Sequence, residues 1–161
     1  MKKIGLVISF LIVSLGTYAQ FEQGKWLVTP SLTGFNFSYS QHEKARLGLS
    51  GEVGHFVADN IALMVNVGVD WSNAVDEYSF GTKGRYYFDS TGIYLGAGFD
   101  CDRFRYSGVG SRTDWGVGVE AGYAFFLSRT VTIEPAAYYK WRFNNSDMSK
   151  FGLKIGFGFY F

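Results

Sequence analysis

The chain has a single cysteine, Cys101, so an exported protein of this sequence holds no internal disulfide. After residue 15 it has no long apolar run, and its mean hydropathy is near zero. A helix that crosses a membrane needs about 20 apolar residues in a row, so a helical membrane protein is excluded. Proline occurs only at Pro30 and Pro135, and neither a linker nor a low-complexity tract marks a second domain. Charge of one sign is missing too, with 15 basic residues against 14 acidic ones. Such a balance gives no electrostatic footprint for nucleic acid.

The N-terminus reads Met1-Lys2-Lys3, then an apolar run from Ile4 to Leu15, then Gly16-Thr17-Tyr18-Ala19-Gln20. A basic start, a short apolar core and a small residue before a polar one predict a secretory signal peptide over 1–19, cleaved after Ala19. No cysteine follows the cleavage position, so a lipid anchor is not expected. Residues 20–161 then form one domain by length.

What the chain has in quantity is glycine (21 residues) and aromatics (19%), set out with a period of two. Phe151, Leu153, Ile155, Phe157, Phe159 and Phe161 alternate with Gly152, Lys154, Gly156, Gly158 and Tyr160. Ile61, Leu63, Val65, Val67, Val69 and Trp71 alternate in the same way with Ala62, Met64, Asn66, Gly68 and Asp70. The pattern predicts eight strands, near 25–39, 45–57, 61–72, 77–88, 92–105, 112–126, 131–143 and 149–161. In the first, the apolar parity switches between Leu32 and Phe35, and a β-bulge at Gly34 would restore one apolar face. Tight turns at 58–60, 89–91 and 128–130 alternate with longer polar connections at 40–44, 73–76, 106–111 and 144–148. The fold class this predicts is all-β, a transmembrane eight-stranded antiparallel up-and-down barrel.

Two features orient the barrel. The polar face carries Gly96, Gly98, Gly116, Gly118, Gly122, Gly152, Gly156 and Gly158. Glycine weakens a strand and a solvated exterior has no use for it, whereas a narrow interior filled by side chains does. The polar face therefore points inward. Aromatic rings gather toward the strand ends as two girdles, with the strand middles expected to be free of large rings. Trp71, Tyr78, Trp115, Tyr139 and Trp141 form the girdle at the loop end; Trp26, Tyr86, Phe88, Tyr123, Phe125, Phe159 and Phe161 form that at the turn end.

The last eight residues resemble the assembly signal of bacterial outer-membrane barrels through Lys154, Gly156, Phe159 and the terminal Phe161. The resemblance implies recognition by the barrel-assembly machinery, with periplasmic chaperones as partners during biogenesis. Across 21–161 the chain resembles the small OmpA-like and OmpX-like barrels, particularly the barrel-only "outer membrane beta-barrel" or "porin family" proteins of Bacteroidota. Gly24-Lys25-Trp26-Leu27-Val28 and Gly54-His55-Phe56-Val57-Ala58-Asp59-Asn60-Ile61-Ala62-Leu63 carry that likeness. It implies an integral location in the outer membrane of a Gram-negative bacterium, in contact with its lipid and lipopolysaccharide. A monomer is expected. The chain departs from full OmpA-type proteins by ending at the barrel, so cell-wall tethering is not carried over.

Inward positions near mid-strand include Glu52, Lys83, Arg85, Glu120, Glu134 and Lys154, three acids and three bases. Unpaired charges in a narrow lumen are costly, so these must neutralise one another. They read as an inverted polar core that fixes the barrel's shape, in preference to the plugged or gated channel that the OmpA-type resemblance implies. Asp100 and Asp102 point inward and Cys101 outward, so the three cannot share a metal ion, and ion pairs with Arg46, Lys140 and Arg142 account better for them. His42 falls in a loop; His55 lies on the apolar parity at the rim, an interfacial histidine more than the base of a Ser/His pair. Arg103, Arg105 and Arg112 with Tyr106 form a basic, aromatic patch that could touch lipopolysaccharide phosphates. No catalytic residue, metal or other cofactor is expected. The expected role is a non-enzymatic barrel with a largely closed lumen, supporting membrane integrity or surface interaction. A narrow pore or transporter for ions or small solutes is the alternative, and a lipid-A-modifying enzyme ranks below both.

Overall fold

A sheet with one apolar face leaves two unpaired edges, and closing it on itself removes both. The computed structural model, which describes residues 21–35, 47–71, 75–89, 91–106, 110–143 and 149–161, is closed in this way. Its strands are β1 (Trp26–Phe35), β2 (Leu47–Ala58), β3 (Ile61–Trp71), β4 (Val75–Tyr87), β5 (Ile93–Tyr106), β6 (Gly110–Tyr123), β7 (Phe125–Phe126), β8 (Val131–Arg142) and β9 (Lys150–Tyr160). Sequence neighbours pair antiparallel from β1 to β6. β6 and its short continuation β7 both pair with β8, β8 pairs with β9, and β9 returns to β1. The result is an eight-stave all-β barrel.

The register sets the tilt. Followed once round through Tyr160, Leu27, Gly54, Met64, Lys83, Gly98, Gly118 and Lys140, it returns to β9 at Lys150, ten residues from its start. A shear of that size over eight staves tilts the strands by about 40° and gives a backbone radius of about 8 Å. The register line then climbs about 3 Å per stave, and on that slope Tyr78, Trp115 and Trp141 reach one height. Trp26, Phe88 and Phe159 lie roughly 25 Å below them, the height of the apolar band of an outer-membrane barrel.

Side chains divide by parity. Val53, Leu63, Val65, Val67, Leu95, Val119 and Ile155 are among those exposed on the outer wall, whereas Glu52, Arg85, Asp102, Glu120, Glu134 and Lys154 are buried inside. Large rings do not all keep to the strand ends, contrary to the expectation. Phe80 and Phe99 stand mid-strand on the outer wall, Phe99 being 65% exposed. Phenylalanine has no polar atom to hold it at an interface, so nothing draws it from the middle of an apolar band.

Both prolines interrupt a ladder, and one corrects a strand expectation. Phe143 donates its amide to the Trp115 carbonyl, so odd-numbered outward pairs of the β6–β8 ladder are its hydrogen-bonded pairs. The next in the series would be Tyr123 with Pro135, and proline has no N–H to give. The ladder stops there, and the strand expected as 112–126 splits into β6 and β7 around Ala124. Pro30 faces β9 in the same way, and the β1–β9 pairing is interrupted between Val28 and Ser31. The bulge expected at Gly34 is present as a register slip between Thr33, opposite Lys154, and Phe35, opposite Leu153. Residues 36–39 of the expected first strand, with His42 and Arg46, lie outside the described residues.

Pro135→Val is accordingly expected to join β6 to β7. The amide introduced at position 135 should exchange with solvent deuterium at least about tenfold more slowly than an exposed one. Exchange at the unprotected rate would show that the break has another cause.

Candidate functional site: the barrel interior

The interior is packed in layers. In the middle, β2, β4, β6, β8 and β9 each turn one or two charged side chains inward at similar height, and all six expected there meet. The Lys83 Nζ donates to Glu52 Oε1 (2.6 Å) and Glu120 Oε2 (2.8 Å). The Lys154 Nζ donates to the same two oxygens at 2.8 and 2.6 Å. Arg85, 1% exposed, spans all three acids: Nη2 to Glu52 Oε2 (2.9 Å), Nε to Glu120 Oε1 (3.0 Å) and Nη1 to Glu134 Oε2 (2.8 Å). The guanidinium lies 4.1 Å from the centre of the Tyr94 ring, a cation–π contact that desolvation strengthens. Glu134 also accepts from Thr132 and Tyr160, each at 2.8 Å.

Three acids against three bases make this cluster neutral as a whole. Neutrality and complete pairing are what allow charges in so confined a space, where desolvation otherwise outweighs attraction. Glycine makes the room. A Cβ on Gly96 would lie 2.6 Å from Glu120 Cγ and push that carboxylate out of the network.

A second ionic layer lies at the loop end. Arg142 donates Nη2 to Glu77 Oε1 (2.7 Å), pairs through Nη1 with Asp102 Oδ2 (2.6 Å), and stands over the Phe104 ring. Lys140 reaches Asp100 at 3.4 Å, and Asn66 donates to the same Asp100 oxygen at 3.1 Å. Between the two layers is a cavity of about 80 Å³, lined by Ser50, Asn66, Ser79, Asp100 and Lys140 above the central charges. At the turn end the interior is aromatic, with Leu27, Phe56, Tyr87, Tyr94 and Tyr160 buried and Phe21 and Phe126 packed on them.

Sequence reasoning placed Glu52, Lys83, Arg85, Glu120, Glu134 and Lys154 by parity but missed Glu77 and the aromatic layer. Parity already puts Phe56, Tyr87, Tyr94 and Tyr160 inward; an apolar ring on a polar-parity position was the available signal. Asp100 and Asp102 are buried inside and Cys101 lies half-buried on the opposite parity. Among the described residues no group of three His, Cys, Asp or Glu side chains is placed to hold a metal ion. The His55 ring is 4.8 Å from that of Trp26, and its partners across the strands are Trp26 and Leu63, neither a nucleophile nor an acid. Trp26, Tyr78, Trp115, Tyr139 and Trp141 are exposed on the outer wall and Tyr123 is half-buried. The side chains of Trp71, Tyr106 and Arg112 lie outside the described residues. Of the C-terminal signal residues, Lys154 and Gly156 face inward, and Phe159 and Phe161 are exposed.

No protein-family model matches the chain, and no curated protein matches it in sequence. Solved structures do match its fold. The N-terminal β-barrel domain of OprF from Pseudomonas aeruginosa superposes with a TM-score of 0.69 at 15% identity, covering 86% of this chain and 98% of that one. Neisserial surface protein A gives 0.64 at 18% identity over 86% and 96% of the two chains. The outer-membrane protein OprG from Pseudomonas aeruginosa gives 0.59 at 11% identity over 88% and 98%. At these identities the likeness is one of fold: the chain is a small, closed, eight-stranded antiparallel barrel of the form those outer-membrane proteins adopt.

Proposed function

We propose that the protein is an integral outer-membrane barrel whose ionic interior closes it to solutes, and that it serves membrane integrity or contact at the cell surface without catalysis. The observation that carries this reading is the inversion of the fold: aliphatic side chains cover the outer wall while a neutral network of six charges fills the middle. A soluble protein would expose that network and bury the aliphatics. Residues 1–19 fit a cleaved export leader, and Lys154, Gly156, Phe159 and Phe161 fit the signal that the barrel-assembly machinery and periplasmic chaperones would read. Arg103 and Arg105 are exposed on the outer wall at the loop end, at the level where lipopolysaccharide phosphates would lie.

Planar-bilayer recording of the refolded protein tests the reading, with Lys83→Ala and Glu120→Ala as comparisons. The expected result is silence from the wild type. The cavity above the network favours the pore as the second reading. Reproducible wild-type openings, enlarged by either substitution, would make the central charges a gate and replace the first reading with that one.

A further inference from the structure

The ion network stops short of the turn end, and something else fills the space below it. Phe56 of β2, Tyr87 of β4, Phe126 of β7 and Tyr160 of β9 reach inward from different sides of the wall. The Phe21 ring stands among all four: 4.1 Å from Tyr87 and stacked on it, 5.6 Å from Phe126, 5.8 Å from Tyr160 and 6.1 Å from Phe56. Phe21 belongs to none of the strands. It is carried on the segment before β1, which is fastened across the mouth by hydrogen bonds from Asn60 N to Phe21 O (2.7 Å), Gln23 N to Asp59 Oδ1 (2.9 Å) and Gln23 Nε2 to Val57 O (3.0 Å). The ring therefore closes the centre of an aromatic floor without taking part in the wall.

We infer that Phe21 is a cork: it seals the turn end of the barrel against water, and the ion network above it is not the seal at that end. The inference rests on the reading of a closed, membrane-spanning barrel and names the element that closes one end. The chemistry favours it. A layer of rings about one side chain thick excludes water by dewetting, whereas carboxylates and ammonium groups hold water readily. Because the cork hangs on a short external segment, it can leave while every strand pairing stays intact.

Ala62 provides the reporter. It is fully buried on β3, opposite Phe56 of the floor on one side and Arg85 of the network on the other. In a Cys101→Ser background, Ala62→Cys places one thiol between the two layers, and a small water-soluble thiol reagent measures its accessibility in lipid vesicles. With Phe21 present the thiol should be protected. Phe21→Ala should raise the labelling rate by about tenfold or more, Phe21→Leu should keep most of the protection, and Lys83→Ala should leave it protected. Heat-modifiable gel mobility identifies the folded barrel in each variant. Equal labelling with and without Phe21, or protection lost in Lys83→Ala alone, would overturn the cork. Wild-type conductance in the bilayer would instead overturn the closed-barrel reading, whatever the labelling pattern.

Discussion

Replacing Arg85 with methionine is expected to cost about 3–5 kcal/mol of stability, the loss that follows when one partner leaves a buried ion group. Among the described residues Arg85 is the one cation that touches Glu52, Glu120 and Glu134 together, and it also donates to the Tyr87 hydroxyl at 3.0 Å. Lys83 and Lys154 share Glu52 and Glu120, so those carboxylates keep partners after the substitution. Among the described residues Glu134 keeps only the hydroxyls of Thr132 and Tyr160, and a buried carboxylate held by two hydroxyls is poorly compensated. Neutralising it should therefore recover much of the loss, and Arg85→Met with Glu134→Gln is expected to be more stable than Arg85→Met alone. Arg85→Lys should recover little, because one ammonium cannot span three carboxylates as a guanidinium fork does. Urea unfolding of the refolded barrel in lipid vesicles measures all three variants against the wild type. A single-variant loss below about 1 kcal/mol would mean that water already compensates these charges and that the interior is wetter than its geometry implies.

The second large effect is steric. Gly98→Val should destabilise the barrel by about 1–3 kcal/mol or prevent its refolding, since overpacking a filled interior forces the backbone to move. A Cβ at Gly98 would collide with the Thr82 carbonyl oxygen and the Lys83 Cβ, and would lie 2.7 Å from Lys83 Cα. Two of these three atoms are backbone, which cannot swing away as a side-chain tip can. Gly51→Val, on the outward parity, is the matched control: nothing lies within 4 Å of a Cβ built there, so its cost should stay within about 0.5 kcal/mol. Equal effects at the two positions in the same unfolding experiment would remove interior crowding as the reason for glycine on the inward face.

Arg85 and Gly98 were both legible in the sequence as inward positions. Alternation is a strong signal where one face is wholly apolar, as from Phe151 to Phe161, because a slip of one residue would turn every side chain to the wrong solvent. Parity then assigned the inward faces, and with them Glu52, Lys83, Arg85, Glu120, Glu134 and Lys154, without knowledge of which carboxylate each base would meet. Contacts such as Arg85 to Glu134, 49 residues apart, depend on tilt and shear, which are properties of the closed sheet and not of any one strand. The split of the sixth strand was missed because Pro135 acts on the strand across from it, through a hydrogen bond it cannot give. Phe21 was missed for a different reason. It lies outside every period-two segment, and its partners come from four strands that only closure brings together.

The outward parity should face lipid and the inward parity should not, and site-directed spin labelling tests this most directly. A nitroxide at Val65, exposed at mid-height on β3, is compared in vesicles with one at Met64, its buried neighbour. At Val65 the account predicts frequent collision with molecular oxygen, which concentrates in the bilayer, and little with a water-soluble nickel chelate. At Met64 it predicts little collision with either. Collision of the nickel chelate with the label at Val65 would contradict the account, because it would put water against a wall that should face lipid.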